Sequence, residues 1–366
     1  MIQPRPLVLK LNRFEDIGSG RNGIVLLDKN ERTVPYADSI VSSILGTITP
    51  FDLTRYPDQS PLYKKLSSFL GIPPEQILLS NGADSGLKIF FETFVSEGDE
   101  VLFLDPTYAM VNVYSEMYGC TDRSVAFGDT LELDPNELIS AISNTTKAVI
   151  VANPNQPTGT LLTHDSIIAL LRKTAECNAL LIVDEAYIEF SGQRSALEEI
   201  KQHSNLCVLR TFSKAWGLAG VRLGFLAAPE QLIQQMKKVK PLLDINIIAI
   251  RAATYLIDHH HLIDSYVNDV KEARDYLIRE LERNDVDVFP SNTNFLHVRP
   301  PAGTALANIE TILTRKGYRF RFSGGSAAIL DGCLRLTIGP KEQMRPVLRE
   351  LLNVFRAPDA GQKSAD

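Results

Sequence analysis

Cysteine is scarce in this chain. The four present (Cys120, Cys177, Cys207 and Cys333) are scattered, with no CxxC pair. Neither a disulfide framework nor a zinc site is implied, and a reducing cytoplasm fits. Histidine is sparse too, six in all, with three in the run His259-His260-His261. Helical periodicity on either side makes that run an expected exposed helix face. No metal is expected, because no further ligand type sits at a useful spacing. Long runs of Lys or Arg are missing and the net charge is -6, so neither nucleic acid nor an anionic membrane is an expected partner. No apolar stretch is long enough to cross a bilayer. The opening Met1-Ile2-Gln3-Pro4-Arg5-Pro6 lacks the apolar segment of a secretion signal. There are no internal repeats. No GxGxxG follows the first strand pattern, which sets aside a nicotinamide-binding Rossmann enzyme.

What is present is a globular composition, 44% hydrophobic, with short apolar runs separated by helical patterns. The runs 77–79, 101–104, 148–152, 180–183, 206–209 and 223–227 read as buried strands. Near-continuous apolar runs fit a mostly parallel sheet covered on both faces. A helix is expected after Asn81-Gly82 and another from the cap Thr163. The pattern is α/β. From about Asp244 the texture changes to a long helical region, 250–281, followed by strand-like 294–298 and 333–338. That reads as a smaller α+β domain. The expected division is an N-terminal arm 1–34, a large domain 35–245, a small domain 246–355 and a flexible tail 356–366.

In open α/β sheets, ligands sit beyond the carboxyl ends of the strands. Polar residues cluster there. The run Thr211-Phe212-Ser213-Lys214-Ala215-Trp216-Gly217 puts a lysine in a small-residue loop after a strand, with Arg222 eight positions on. A lysine so placed can form a Schiff base with an aldehyde. A hydroxyl before it and an arginine after it can hold a phosphate. Aldehyde plus phosphate on one small molecule points to pyridoxal 5′-phosphate. Asp184 ends the strand 180–183, and an ionised carboxylate at that depth needs a cation, such as a protonated pyridine nitrogen. Tyr187 follows three residues later, within reach of the ring's phenolic oxygen. Tyr108, in Asp105-Pro106-Thr107-Tyr108, can stack on a planar ring. Asn153 opens the rigid turn NPNQPTG. Ala83 and Asp84 follow Gly82, where free helix N–H groups face an anion. Each motif alone would pass as an ordinary cap or turn. Their joint occurrence in this order does not.

Together, Tyr56-Pro57-Asp58, Ser80-Asn81-Gly82-Ala83-Asp84, Asp105-Pro106-Thr107-Tyr108, NPNQPTG, VDEAYIEF, LRTFSKAWGLAGVRLGF and GCLRLTIG resemble the fold-type-I aminotransferases. Within that family they are similar to the histidinol-phosphate aminotransferases, over roughly Leu27 to Arg349. The resemblance implies a large domain with a mostly parallel seven-stranded sheet. It implies Lys214 as the covalent anchor and proton shuttle, Asp184 on the pyridinium nitrogen, and Asn153 and Tyr187 on the phenolic oxygen. Tyr108 would stack on the ring, and Ala83, Asp84, Ser213 and Arg222 would surround the phosphate. Tyr56 would reach the neighbouring subunit's phosphate, making the active unit a homodimer. Arg335, helped by Arg321 and Asn153, would take the substrate's anionic group. The implied reaction turns histidinol phosphate and 2-oxoglutarate into imidazole acetol phosphate and glutamate. No metal is implied.

The N-terminal arm departs from the family pattern. It reads Leu27-Asp28-Lys29-Asn30-Glu31-Arg32-Thr33-Val34-Pro35, with Lys29 and Arg32 as extra charges near the expected substrate entrance. The nearest upstream aromatic, Phe14, lacks the hydroxyl of the family's usual tyrosine. A missing donor in a buried site costs about 1–3 kcal/mol. These departures keep open a related enzyme (aminotransferase, cyclase or decarboxylase) acting on a different amino acid. A non-catalytic, cofactor-binding sensor is the third reading, against which stand the charge and the short segment before Leu27.

Overall fold

The computed structural model describes residues 3–11, 23–128, 130–304, 306–323 and 328–356. Seven strands form the main sheet, in the spatial order Ile77–Ser80, Gly224–Ala227, Leu206–Thr211, Leu180–Asp184, Thr146–Ala152, Glu100–Asp105, Thr121–Ala126. All neighbours are parallel except Gly224–Ala227, which runs antiparallel to both of its partners. The expected seven-stranded, mostly parallel sheet is therefore found. Helices Ala83–Phe94 and His164–Glu176 lie where their caps predict, the second with Thr163 accepting from the Ser166 amide.

Six of the seven strands are apolar runs. The seventh, Thr121–Ala126, is missed by that criterion because it is an edge strand, polar and largely exposed. A strand with one neighbour and a wet face gains little from apolar residues, and charge there discourages edge-to-edge pairing.

A second, antiparallel sheet orders Arg321–Phe322, Leu334–Thr337, Phe295–Arg299 and Asp287–Phe289. The N-terminal arm joins it. Val25–Leu26 pairs with Tyr318–Arg319, and the Thr337 amide donates to the Leu27 carbonyl at 3.0 Å. One apolar core runs from Leu27 through both sheets to Phe355.

The helical region 250–281 is two helices, Ile247–Asp258 and His261–Glu282. The histidine run sits at the break between them, with His259 and His260 half-buried and His261 exposed at the start of the second helix. His259 stacks on Tyr255 (4.0 Å), and His260 packs against Phe69 and Trp216. Among the described residues no cluster is arranged to hold a metal, and no helix is long and apolar enough to cross a membrane. The final helix reaches Arg356, one residue into the expected tail. Phe14 and residues 357–366 lie outside the described residues.

Gly224 lets the sheet and the following site approach closely. A Cβ there would stand 2.6 Å from the Ala83 amide nitrogen and 2.8 Å from the Arg210 carbonyl oxygen. Both obstacles are backbone and cannot turn aside. Gly224→Ala should therefore cost about 1–3 kcal/mol of stability, read as a lower urea midpoint. An unchanged midpoint would contradict this packing.

Candidate active site

The cleft lies beyond the carboxyl ends of the parallel strands. Its lining includes Asp84, Tyr108, Gln156, Asp184, Tyr187 and Lys214. Lys214 follows the strand Leu206–Thr211 by three residues. Its Nζ donates to the Lys29 carbonyl at 2.9 Å and lies 5.5 Å from the centre of the Tyr187 ring. Asp184 ends the neighbouring strand. It accepts from the Ala186 amide at 3.0 Å and forms no ion pair among the described residues. Burial pushes its carboxyl up to about 6, Glu185 and Asp84 add to the rise, and the Ala186 amide and Lys214 oppose it. Tyr108 is also held above its ordinary value, by burial first and then by Asp84 and Asp184.

One end of the cleft is built for an anion. Gly82, at φ +79°, precedes the helix Ala83–Phe94, which has no side-chain cap. Its first amides are thus available to a ligand. Arg222 closes this end, donating to Ser213 Oγ at 3.3 Å. A Cβ at Gly82 would collide with the Arg222 guanidinium, so glycine is required for that approach.

A buried ion network underlies the cleft. Arg210 donates to Glu185 at 2.9 Å and to Glu189 at 3.0 Å, and the Trp216 indole also donates to Glu189. Glu185 further accepts from Ser195 and the Ala196 amide. The strand ends carrying Asp184 and Lys214 are thereby tied together through their neighbours.

Of the residues expected from sequence, Ala83, Asp84, Tyr108, Asp184, Tyr187, Ser213, Lys214 and Arg222 share this one cleft. Asn153 does not. Its carboxamide accepts from the Leu162 amide at 2.8 Å and donates to the Leu162 carbonyl, so it closes its own loop and lines a separate cavity. Gln156 from the same motif faces the cleft instead; the sequence gives three amides in one turn and no local rule for choosing among them. Arg335 is buried beside the cleft, donating to the Asp28 carbonyl at 2.6 Å, with Nε lacking a partner. Burial lowers it to about 10, and Arg321 contributes in the same direction. Arg321 pairs with Arg335 in strand register and is exposed. Tyr56 is 82% exposed.

Lys29 and Arg32 were expected as extra charges near the substrate entrance. Asp28 and Asn30 are buried. Arg32 is instead sandwiched over the rings of Tyr36 and Tyr266, at 4.4 and 3.9 Å. Partners more than two hundred positions apart, like Arg32 and Tyr266, and the backbone contacts of Asp28 and Lys29 leave no local signal, so sequence reasoning missed them.

A family model described as aminotransferase class I and II matches residues 45–351. This chain belongs to that family. A histidinol-phosphate aminotransferase of Bacteroides thetaiotaomicron is 31% identical over 95% of this chain and 96% of its own length. One from Pectobacterium carotovorum is 34% identical over 91% of each. Among solved structures, the histidinol-phosphate aminotransferase of Sinorhizobium meliloti in complex with pyridoxal-5′-phosphate superimposes with a TM-score of 0.86. It is 24% identical over 97% of this chain and 98% of that one. The aminotransferase is thus matched over nearly its whole length, with amino acids and keto acids as its substrate class.

The raised Asp184 carboxyl has a consequence for the ligand-free aminotransferase. The unfolded group ionises near 3.8 and the folded one near 6. Over that window the unfolded state loses its proton first, so stability falls as pH rises and stays lower above it. Asp184→Asn should raise stability by about 1–3 kcal/mol at pH 7, with the gain vanishing toward pH 4. Urea denaturation at both pH values checks this; an equal gain at both would rule out ionisation as the cause.

Proposed function

We propose that this protein transfers the amino group of histidinol phosphate to 2-oxoglutarate, giving imidazole acetol phosphate and glutamate, with pyridoxal 5′-phosphate held in the cleft. The observation that carries the reading is the meeting, in one cleft, of Lys214, the cation-free acid Asp184 and the anion-binding end at Arg222. The curated relatives supply the substrate. The residues present fit the cofactor group by group. Lys214 suits its aldehyde, Asp184 its ring nitrogen and the Gly82–Arg222 end its phosphate. Tyr108 offers a ring face, and the Tyr187 hydroxyl and Gln156 carboxamide are the polar groups left for the phenolic edge.

When bound, the cofactor supplies an electron sink for charge developing at the substrate's α-carbon. Asp184, ionised against the ring nitrogen, maintains that sink, and the low local dielectric strengthens the pair. Lys214, whose Nζ lies at the cleft, would be the base that moves the substrate's α proton. Its contact with the Lys29 carbonyl holds Nζ there. Arg335 keeps a spare donor in a buried setting. A guanidinium fork accepts either a carboxylate or a phosphate, which a site serving two substrates requires. Arg321 stands next to it in register.

We further propose a cytoplasmic homodimer. Phe51 (63% exposed), Leu53 (71%) and Tyr56 are outward-facing beside the helix Ile247–Asp258, to which the Asp52–Arg251 ion pair ties them, and Leu242 (85%) is exposed in the turn before that helix. Apolar exposure on that scale marks an interface, and a second copy would bring Tyr56 to a neighbouring cleft. Sedimentation at micromolar concentration should give a dimer, and Leu53→Glu should shift it toward monomer with weaker cofactor binding. A monomeric wild type would overturn this.

The deciding experiment is a single-turnover spectrum with histidinol phosphate. The wild type should convert the bound cofactor from its lysine-linked to its aminated absorbance, and Lys214→Ala should show neither the starting band nor turnover. A response to another amino acid with none to histidinol phosphate would mean that the arm has changed the substrate. A Lys214→Ala protein with the unchanged band would remove Lys214 from its role.

A further inference from the structure

Three consecutive residues of the arm each meet a different part of the site. The Asp28 carbonyl accepts from Arg335, the Lys29 carbonyl accepts from Lys214, and the Asn30 side chain donates to the Tyr187 hydroxyl at 3.0 Å. The first two are backbone contacts that any residue could make. The third depends on residue type.

Asn30 is 2% exposed and stands at φ +56°, a left-handed conformation that asparagine tolerates better than most residues. Its carbonyl accepts from Asn294 Nδ2 at 3.1 Å, and its amide donates to Thr337 Oγ1 at 3.0 Å. With one lone pair so engaged, the Thr337 hydroxyl gives its own proton to Asn30 Oδ1, at 3.2 Å. That fixes which end of the carboxamide faces Tyr187. Oδ1 is held by Thr337, so Nδ2 points at the phenol and donates.

A phenol oxygen carries one proton. When it accepts from Asn30, that proton is directed elsewhere. The ring is held edge-on by Phe295 at 5.5 Å, and Tyr187 lines the cleft. We propose that Asn30 is a positioning residue that aims the Tyr187 hydroxyl proton into the cleft, toward an oxyanion of the bound cofactor. The proposal rests on the cofactor reading above. Charged and titratable groups around this hydroxyl are Lys214, Arg335, Asp184 and Tyr108.

A proton donated to the phenolic oxygen stabilises its negative charge. An oxyanion so stabilised would hold a neighbouring proton less tightly. Losing the donor therefore raises the pH at which the visible band of the holoenzyme changes. Tyr187→Phe should move this midpoint up by about one unit, the size of a hydrogen bond to a charged group. Asn30→Gly keeps the left-handed backbone and removes only the side chain; it should move the midpoint up by about half a unit. In a Tyr187→Phe background it should add nothing, because the two act in series.

The measurement is a spectrophotometric pH titration of the four holoenzymes. No shift in Asn30→Gly, or the same shift with and without the Tyr187 hydroxyl, overturns the role of Asn30. No visible band in the wild type would instead sink the cofactor reading itself. Should Asn30→Gly fail to fold, Thr337→Val carries the same cycle. It frees the carboxamide to turn over and should give a smaller shift of the same sign.

Discussion

A carboxylate kept deep in the protein without a cation is the constraint on which the rest of this site depends. Asp184 and Glu185 are consecutive, and at a strand end consecutive side chains leave on opposite sides. Glu185 turns inward and is satisfied by Arg210, Ser195 and the Ala196 amide. Asp184 turns to the cleft and receives one amide. The network below holds two acids, Glu185 and Glu189, against one arginine. It has no positive charge to lend. Among the described residues only Lys214 opposes the rise of the Asp184 carboxyl electrostatically as a cation, and it makes no ion pair with it.

The remaining geometry follows from holding that position rigid. Arg210 and Trp216 belong to the strand and loop on either side of Lys214, and both anchor on Glu189. Lysine and aspartate are thus spaced by a buried ion network as well as by sheet register. Desolvated ion pairs contribute little net stability, and breaking one leaves an unpaired buried charge. Here the network's value lies in fixing geometry. Gly224 and Gly82 serve the same end differently, since both remove a Cβ that would hold the anion-binding helix away from the sheet or from Arg222.

The arm changes how the site is understood. It is chemically unlike its family pattern, yet it is among the best-engaged segments of the cleft. Its contacts reach Arg335, Lys214, Tyr187, Thr337 and Asn294 within three residues. Much of that engagement runs through the backbone, which tolerates changes of side chain. The side chain at position 29 can therefore change without disturbing the lysine its carbonyl holds, whereas Asn30 cannot be exchanged so freely.

Much of this was legible in the chain alone. Apolar runs place six of the seven main-sheet strands, because burial on both faces leaves no room for polar residues. The polar residue after each run places the cleft, because strand ends converge there. Lys214, Asp184, Tyr187, Tyr108 and Ser213 are found by that rule, and Arg222 by its spacing from Lys214. What sequence could not decide was the direction of a side chain within an irregular turn. Asn153 and Gln156 share one loop, and only the fold shows that the first ties the loop to Leu162 while the second faces the cleft. Nor could it place the edge strand Thr121–Ala126, whose pairing is carried by backbone. Local pattern determined which elements form and where their ends meet. Tertiary structure decided which atoms meet there, because an irregular turn has no periodicity to aim its side chains and the partners of Lys214, Tyr187 and Arg335 in the arm lie more than a hundred positions away.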